Sequence, residues 1–361
     1  MSKILYAASS AAHLDAFHTP YIEALRSEGH TVKTLGGGAG TDFNIAFEKK
    51  YLSKKNANSR AEVKKILEEE DFDVIIVNTS LAAFHIRRAL PSEKRPRLVN
   101  IVHGYLFPEF ASGIKGGLRK LMLLSAEKML RKKTDALIVM NSEDLRIATM
   151  ENLTNTDPYL INGMGIPPLR YSDGSPSIKK ELGLESKHLL TFVGELSKRK
   201  NQAFLIEAMP EILKSIPNAH LLLVGDGALK PYLSELIKKL GLSDSVTLLG
   251  KRRDVADILS DTDLYVSASK SEGLPFNIVE ALAAGKQIVA SATKGQTDIL
   301  DDGAGILYEA NSREDYVKAV SAVYLGDMRS EESAIKEAYE KYSLDTVFPE
   351  TLAAIKEAAC L

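Results

Sequence analysis

Short, almost uninterrupted apolar runs recur along this chain, at 3–8, 31–35, 74–77, 98–102 and 136–140. Between them, at 20–28, 60–69, 81–90, 114–133 and 142–150, apolar residues return every three or four positions. The short runs predict buried strands and the longer periodic stretches predict helices. Strands alternating with helices predict βαβ units and a mainly parallel sheet. The segment 162–176, N-G-M-G-I-P-P-L-R-Y-S-D-G-S-P, is dense in glycine and proline and reads as a linker. The alternation then restarts, with strands at 188–193, 219–224, 246–249, 264–267 and about 288–290 and helices at 201–216, 229–240, 254–260 and 275–284. The expected fold class is α/β, two Rossmann-like doubly wound parallel-sheet domains over 1–165 and 166–342, followed by a helix over 343–361.

Length supports two domains, because 361 residues exceed what one hydrophobic core usually serves. A hydrophobic fraction of 45% and a charged fraction of 26% are those of an ordinary soluble protein. The formal net charge of -2 excludes a globally basic nucleic-acid binder, so no nucleic-acid partner is expected. The single cysteine, Cys360, precludes an internal disulfide and offers no metal-site spacing, which favours a reducing cytoplasm and no bound metal. The apolar run at residues 1–8 is too short for a signal peptide, and no run of 18 apolar residues occurs, so the chain is expected to be soluble or peripheral.

The most informative chemistry lies in 267–291. A strand end leads into a polar loop with Glu272 and Gly273, then Leu274, Pro275, Phe276 and Asn277 open a short helix carrying Glu280. Pro275 suits a first helical turn and Gly285 a helix end. A helix N-terminus attracts an anion such as phosphate, and two acceptor-only carboxylates beside it suit hydroxyl groups. A nucleotide-sugar has both. Surface charge on an amphipathic helix is the plain alternative, and an acid–base pair of a hydrolase finds no second supporting feature. After the strand at 188–193 comes G-E-L-S-K-R-K-N, in which Gly194 precedes Lys198, Arg199 and Lys200 at a helix start. Cations there oppose the helix dipole, which points to an anion between them or to a solvated loop. The loop at 250–252, with Lys251 and Arg252, can present backbone groups to a base edge.

In the first half, ligands are expected beyond the carboxyl ends of the strands. Ser9, Ser10, His13 and His18 follow the first strand, and Gly36, Gly37, Gly38 and Gly40 the second. The glycines do not form the dinucleotide pattern G-x-G-x-x-G; they read as a flexible loop or a ligand contact. His103 ends the fourth strand, either as a structural histidine or as a hydrogen-bonding and proton-transfer group. Over 115–133, seven basic residues face one acid, with Leu118, Met122 and Met129 on one face. This is either a core-packed helix with a solvated basic face or a surface for anionic lipid or a pyrophosphate-linked acceptor.

Taken together, S-E-G-L-P-F-N-I-V-E-A-L-A-A-G at 271–285, V-G-E-L-S-K-R-K-N-Q-A-F-L-I-E-A at 193–208, L-L-L-V-G-D-G at 221–227 and V-T-L-L-G-K-R-R-D-V at 246–255 resemble glycosyltransferase family 4, the glycosyl transferases group 1 family of GT-B fold. N-G-M-G-I at 162–166, His103-Gly104 and T-D-A-L-I-V-M-N-S at 134–142 add to the likeness. The resemblance implies a retaining, metal-independent transferase that needs no cofactor and uses a nucleotide-diphosphate sugar, UDP-linked by expectation. It implies Glu280 on the ribose, Glu272 on the transferred sugar, Lys200 on the departing diphosphate, and backbone groups of Gly273 to Asn277 nearby. It also implies His103 reaching the donor sugar from the other domain across a cleft, and a last helix returning to the first domain, whose His13, Gly37 and Gly38 would meet the acceptor. That acceptor is expected to be a saccharide or lipid-linked saccharide in bacterial surface polysaccharide synthesis, with peripheral contact to anionic membrane through 115–133. Two departures stand out. Glu195 occupies the family's usual arginine position, leaving Lys198 or Arg199 to supply the charge, and G-K-Q-I replaces G-x-P-V after the helix. A nucleotide-sugar epimerase of the same fold and a non-catalytic nucleotide-sugar-binding subunit are the competing readings.

Overall fold

A computed structural model describes residues 1–48, 53–91, 94–105, 113–172 and 177–361, without side chains for 113–115. The end of the expected linker, 173–176, and the side chain of Lys115 therefore lie outside the described residues. The chain forms two compact units, Met1–Gly165 with Leu344–Leu361, and Ile166–Ser343.

The first unit holds strands β1 (Lys3–Ser10), β2 (Thr31–Gly37), β3 (Phe43–Asn44), β4 (Val74–Asn78), β5 (Arg97–Val102), β6 (Ala136–Val139) and β7 (Tyr159–Leu160). They pair in parallel in the order β3-β2-β1-β4-β5-β6-β7. The five residues of β4 are all buried, as expected of a strand covered by helices on both faces. The two-residue edges β3 and β7 are additions to the expected elements, since a pair of residues carries no periodicity. The last helix, Leu344–Ala359, packs on β5 and β6 within this unit. Arg97 Nε donates to the Ala358 carbonyl at 2.7 Å and Thr351 Oγ1 to that of Gly163 at 3.0 Å. Gly165, at φ +74°, lets the two segments meet, because a Cβ there would lie 2.6 Å from Leu344 Cα.

The helix Gly113–Leu130 corrects one expectation. Leu118, Leu121, Met122 and Met129 are exposed, not core-packed. Leu123 and Leu124 instead pack on Val102, Tyr105 and Leu137. The helix is anchored through its acid: Glu127 takes two 2.8 Å hydrogen bonds from the buried Arg87 of helix Ser80–Ala89. The basic face is partly engaged as well, with Lys128 paired to Glu151 and Lys133 bonded to the Leu90 carbonyl. Arg119, Lys120 and Lys132 remain exposed.

The second unit holds β8 (His188–Val193), β9 (Ala219–Val224), β10 (Val246–Gly250), β11 (Leu264–Ser267), β12 (Ile288–Ser291) and β13 (Ile306–Tyr308). All pairs are parallel, in the order β10-β9-β8-β11-β12-β13. Helix Gln202–Ser215 buries Leu205, Ile206, Met209 and Ile212 completely against Leu190, Phe192 and Leu221. Each such side chain contributes roughly 1.5–3 kcal/mol by leaving water, so this helix is held by its packed face. Strand order reverses between β1 and β4 in one sheet and between β8 and β11 in the other. Ligands of open α/β sheets bind at such switch points, beyond the strand ends.

Candidate donor site and the histidine cluster

At the second switch point, the loop after β8 is built by glycine. Gly194, at φ +151°, donates its amide to the Val224 carbonyl at 2.9 Å, and Leu196 donates to that of Asp226 at 3.0 Å. A Cβ on Gly225 would stand 2.0 Å from the Gly194 oxygen, so only glycine permits this loop-on-loop contact. Gln202 staples the loop from below, donating to the Glu195 carbonyl at 2.7 Å and accepting from the Ser197 amide at 3.2 Å. Neither glutamine contact was foreseeable from a single polar residue in a helix start.

The three cations of this loop separate. Lys198 and Glu195 are exposed, whereas Lys200 is buried with 8% of its surface accessible. Lys200 Nζ lies 2.7 Å from Glu272 Oε1, and Arg199 bonds Glu272 Oε2 and, at 3.1 Å, the Ser271 carbonyl. Glu272 itself is 6% exposed. Burial disfavours its charge, but the Lys200 and Arg199 cations outweigh burial and hold its carboxyl below the ordinary range. Burial in turn lowers Lys200, partly offset by Glu272. Both cations thus converge on the Glu272 carboxylate.

The loop after β11 is fixed to its neighbours by main chain. Lys270 donates to the Arg199 carbonyl at 2.9 Å and Glu272 to that of Lys294 at 3.1 Å. Gly295 permits the second approach, since a Cβ there would lie 2.7 Å from the Gly273 oxygen. Leu274 is buried, and Pro275 precedes helix Phe276–Ala283, whose N-terminus has no side-chain cap. Asn277 donates to the Val193 carbonyl at 2.9 Å and to Tyr265 Oη at 2.7 Å. Its amide therefore ties the helix start to β8. Glu280, one helical turn further on, is half-buried, and desolvation pushes its carboxyl up to about 7 against the pull of Lys200.

Two of the expected donor residues, Lys251 and Arg252, follow β10. The Arg252 guanidinium is engaged by Glu181 at 2.8 and 2.9 Å and by Asp254 at 2.8 and 2.6 Å, so it braces its own loop. Lys251 beside it is exposed. Gly250 accepts from the Gly225 amide at 2.8 Å, which sets the 250–252 main chain against the 225–227 turn.

In the first unit, His13 lies on helix Ala11–Phe17, His18 between that helix and Thr19–Ser27, and His103 just past β5. Their rings gather, with centroids of His13 and His103 at 4.6 Å and of His18 and His103 at 5.1 Å. Strand-end position marked all three for inspection, and His18 is fully buried. Thr79, at φ +69°, holds the Ser9 amide through Oγ1 at 3.1 Å beside the β1–β4 switch point. The glycine loop after β2 is explained by packing. A Cβ on Gly37 would meet Ala46 Cα at 2.9 Å, while Gly38 has φ +114°. A cavity of about 400 Å³ lies beside it, lined in part by Asp15, Glu23, Arg26 and Asp42.

Residues 175–341 match the sequence profile of the family described as Glycosyl transferases group 1. This segment belongs to that family. Over 338 residues, 89% of the chain and 87% of the relative, the chain is 27% identical to the Bacillus subtilis (strain 168) protein EpsD, named as a glycosyltransferase. It is 28% identical over 279 residues, 74% of the chain and 70% of the relative, to the Escherichia coli UDP-Gal:alpha-D-GlcNAc-diphosphoundecaprenol alpha-1,3-galactosyltransferase. Among solved structures, Anabaena HepE in complex with UDP and glucose matches 98% of this chain and 100% of its own with a TM-score of 0.77 at 21% identity. Sucrose-phosphate synthase from Thermosynechococcus elongatus matches 98% of each chain with a TM-score of 0.80 at 17% identity. The two parallel sheets and these matches give the GT-B-like fold. Among the described residues, no helix is long and apolar enough to cross a membrane.

Proposed function

We propose that this family member is a retaining, metal-independent glycosyltransferase that moves a sugar from a UDP-linked donor to a saccharide or lipid-linked saccharide. The observation that carries the proposal is the Arg199–Lys200–Glu272 cluster at the β8–β11 switch point, with Lys200 and Glu272 buried. A diphosphate entering there meets both cations, which pass from Glu272 to the phosphates. Glu272 is thereby released to accept hydroxyls of the transferred sugar. Glu280, once ionised, accepts those of the ribose. The acceptor hydroxyl attacks C1 on the leaving-group face, the bond from C1 to phosphate oxygen breaks, and a phosphate oxygen takes the acceptor proton. Arg199 and Lys200 stabilise the charge that collects on the departing UDP.

UDP is favoured by the ligands of HepE and by the donor in the name of the Escherichia coli relative. That name also favours a diphosphate-linked lipid acceptor. Exposed Leu118, Leu121 and Met122 beside Arg119 and Lys120 favour a lipid-borne acceptor too, at a cytoplasmic membrane face serving polysaccharide synthesis. The test is sugar transfer from UDP-sugars to diphosphate-linked acceptors, with the anomeric configuration of the product read by NMR. Turnover lowered by about 100- to 1000-fold in Lys200→Ala, with the fold intact, is the expected result. Isomerised donor without acceptor would instead favour the epimerase reading, and unchanged turnover would defeat the site assignment.

A further inference from the structure

The three histidines of the first unit have no assigned chemistry as a set. One ring nitrogen of each lies within 4.8 Å of the others. His18 Nε2 and His13 Nε2 face each other at 3.4 Å, a long and poor hydrogen bond. His18 Nδ1 lies 3.1 Å from Tyr6 Oη, which fixes the ring and directs Nε2 inward. His103 Nε2 is buried and has no hydrogen-bond partner among the described residues. A buried polar atom without a partner calls for an occupant.

The donor chemistry selects that occupant. Imidazole nitrogens suit zinc, copper, nickel and cobalt, whereas magnesium and calcium take oxygen ligands. Zinc–nitrogen bonds of about 2.0–2.1 Å place two ligands of a tetrahedral ion roughly 3.3 Å apart. The His13–His18 separation already matches that edge, and the third nitrogen lies within 4.8 Å of both. Burial also keeps the rings neutral, with His13 pushed down to about 4 and His18 and His103 held well below the usual range. Neutral rings keep the lone pairs a metal requires. Tyr6 supplies the outer partner that ligating histidines commonly have.

We infer that His13, His18 and His103 form a three-histidine site for a borderline divalent ion of the zinc class, with Tyr6 orienting His18. His13 and His103 are only half-buried, so the ion enters from their side and keeps a coordination position there for water. The inference rests on the first unit alone and is independent of the proposed transfer reaction.

The experiment uses the full chain, stripped by chelator and titrated with Co²⁺ as a visible probe, then with Zn²⁺ in competition. The expected result is one equivalent of Co²⁺ with the absorption of a four-coordinate imidazole complex, displaced by Zn²⁺ but not by Mg²⁺. His13→Gln and His103→Gln, both at half-buried positions, should each weaken binding by roughly 100-fold or more, and Tyr6→Phe by roughly 10- to 100-fold. His30→Gln, outside the cluster, should leave it unchanged. Melting of each variant without metal checks the fold. Absence of stoichiometric binding below millimolar Co²⁺, or binding that survives both His13→Gln and His103→Gln, would overturn the site.

Discussion

Glu280 and Glu272 sit on neighbouring turns of chain yet ionise in opposite directions, because only Glu272 is flanked by two cations. For Glu280 the folded carboxyl titrates at about 7, against roughly 4.3 when unfolded. A raised pKa contributes stability that is fully present below the unfolded value and is lost as pH rises through the folded one. Glu280→Gln removes that loss. Its stability relative to the parent should therefore grow between pH 5 and pH 8, by up to about 3 kcal/mol, in urea titrations at each pH. Parallel stability curves would contradict the burial argument. In the same interval UDP affinity of the parent should rise as Glu280 ionises, while the glutamine variant stays flat. Lys200→Ala tests the other end of the site. Loss of one preorganised charge on the departing diphosphate should lower kcat by about 100- to 1000-fold, measured at saturating donor. A change in KM alone would mean that Lys200 binds donor and transition state equally.

At the scale of elements, the donor loops are held by main-chain contacts that only glycine allows, and this can be isolated by substitution. Gly225→Ala and Gly241→Ala both place a side chain at positive φ, but only the first meets an atom, the Gly194 oxygen at 2.0 Å. Gly241→Ala should cost about 1 kcal/mol and leave UDP binding intact, whereas Gly225→Ala should cost more and weaken UDP binding at least tenfold. Calorimetry and UDP titration on both proteins decide it; equal effects would mean that the clash is relieved by loop movement. The strands that organise these loops were legible in the sequence. Burial on both faces leaves a bare apolar run such as 74–77, and helix amphipathicity marks the partners. Glu272, Glu280 and Lys200 stood out as candidates too, from residue type beside a helix start. Their mutual arrangement was not legible, because it depends on partners distant in sequence. Arg252 is held by Glu181 from a separate helix, and His18 meets His103 only through folding. The 118–129 face misled for a related reason. Helical spacing reveals a shared face but not whether anything packs on it.

For the whole molecule, the question is how a chain with a net charge of -2 would hold to an anionic membrane. Overall charge opposes that contact, so attraction must be local and assisted by apolar insertion. Helix Gly113–Leu130 offers both: Leu118, Leu121 and Met122 are 68%, 60% and 58% exposed, next to exposed Arg119 and Lys120. Each basic residue near an anionic surface contributes about 1 kcal/mol and each buried methylene about 0.8 kcal/mol. Two cations alone are thus too weak for stable attachment, and the three apolar side chains must enter the interface. Co-sedimentation with phosphatidylglycerol-containing vesicles should therefore fall partly with added salt and fall sharply in Leu118→Ser/Leu121→Ser/Met122→Ser. The triple variant should retain transfer to a water-soluble acceptor, since none of the three side chains belongs to the packed core. Vesicle binding that is abolished by salt and indifferent to the serines would assign the contact to charge alone, and binding equal on neutral vesicles would remove the basic residues from it.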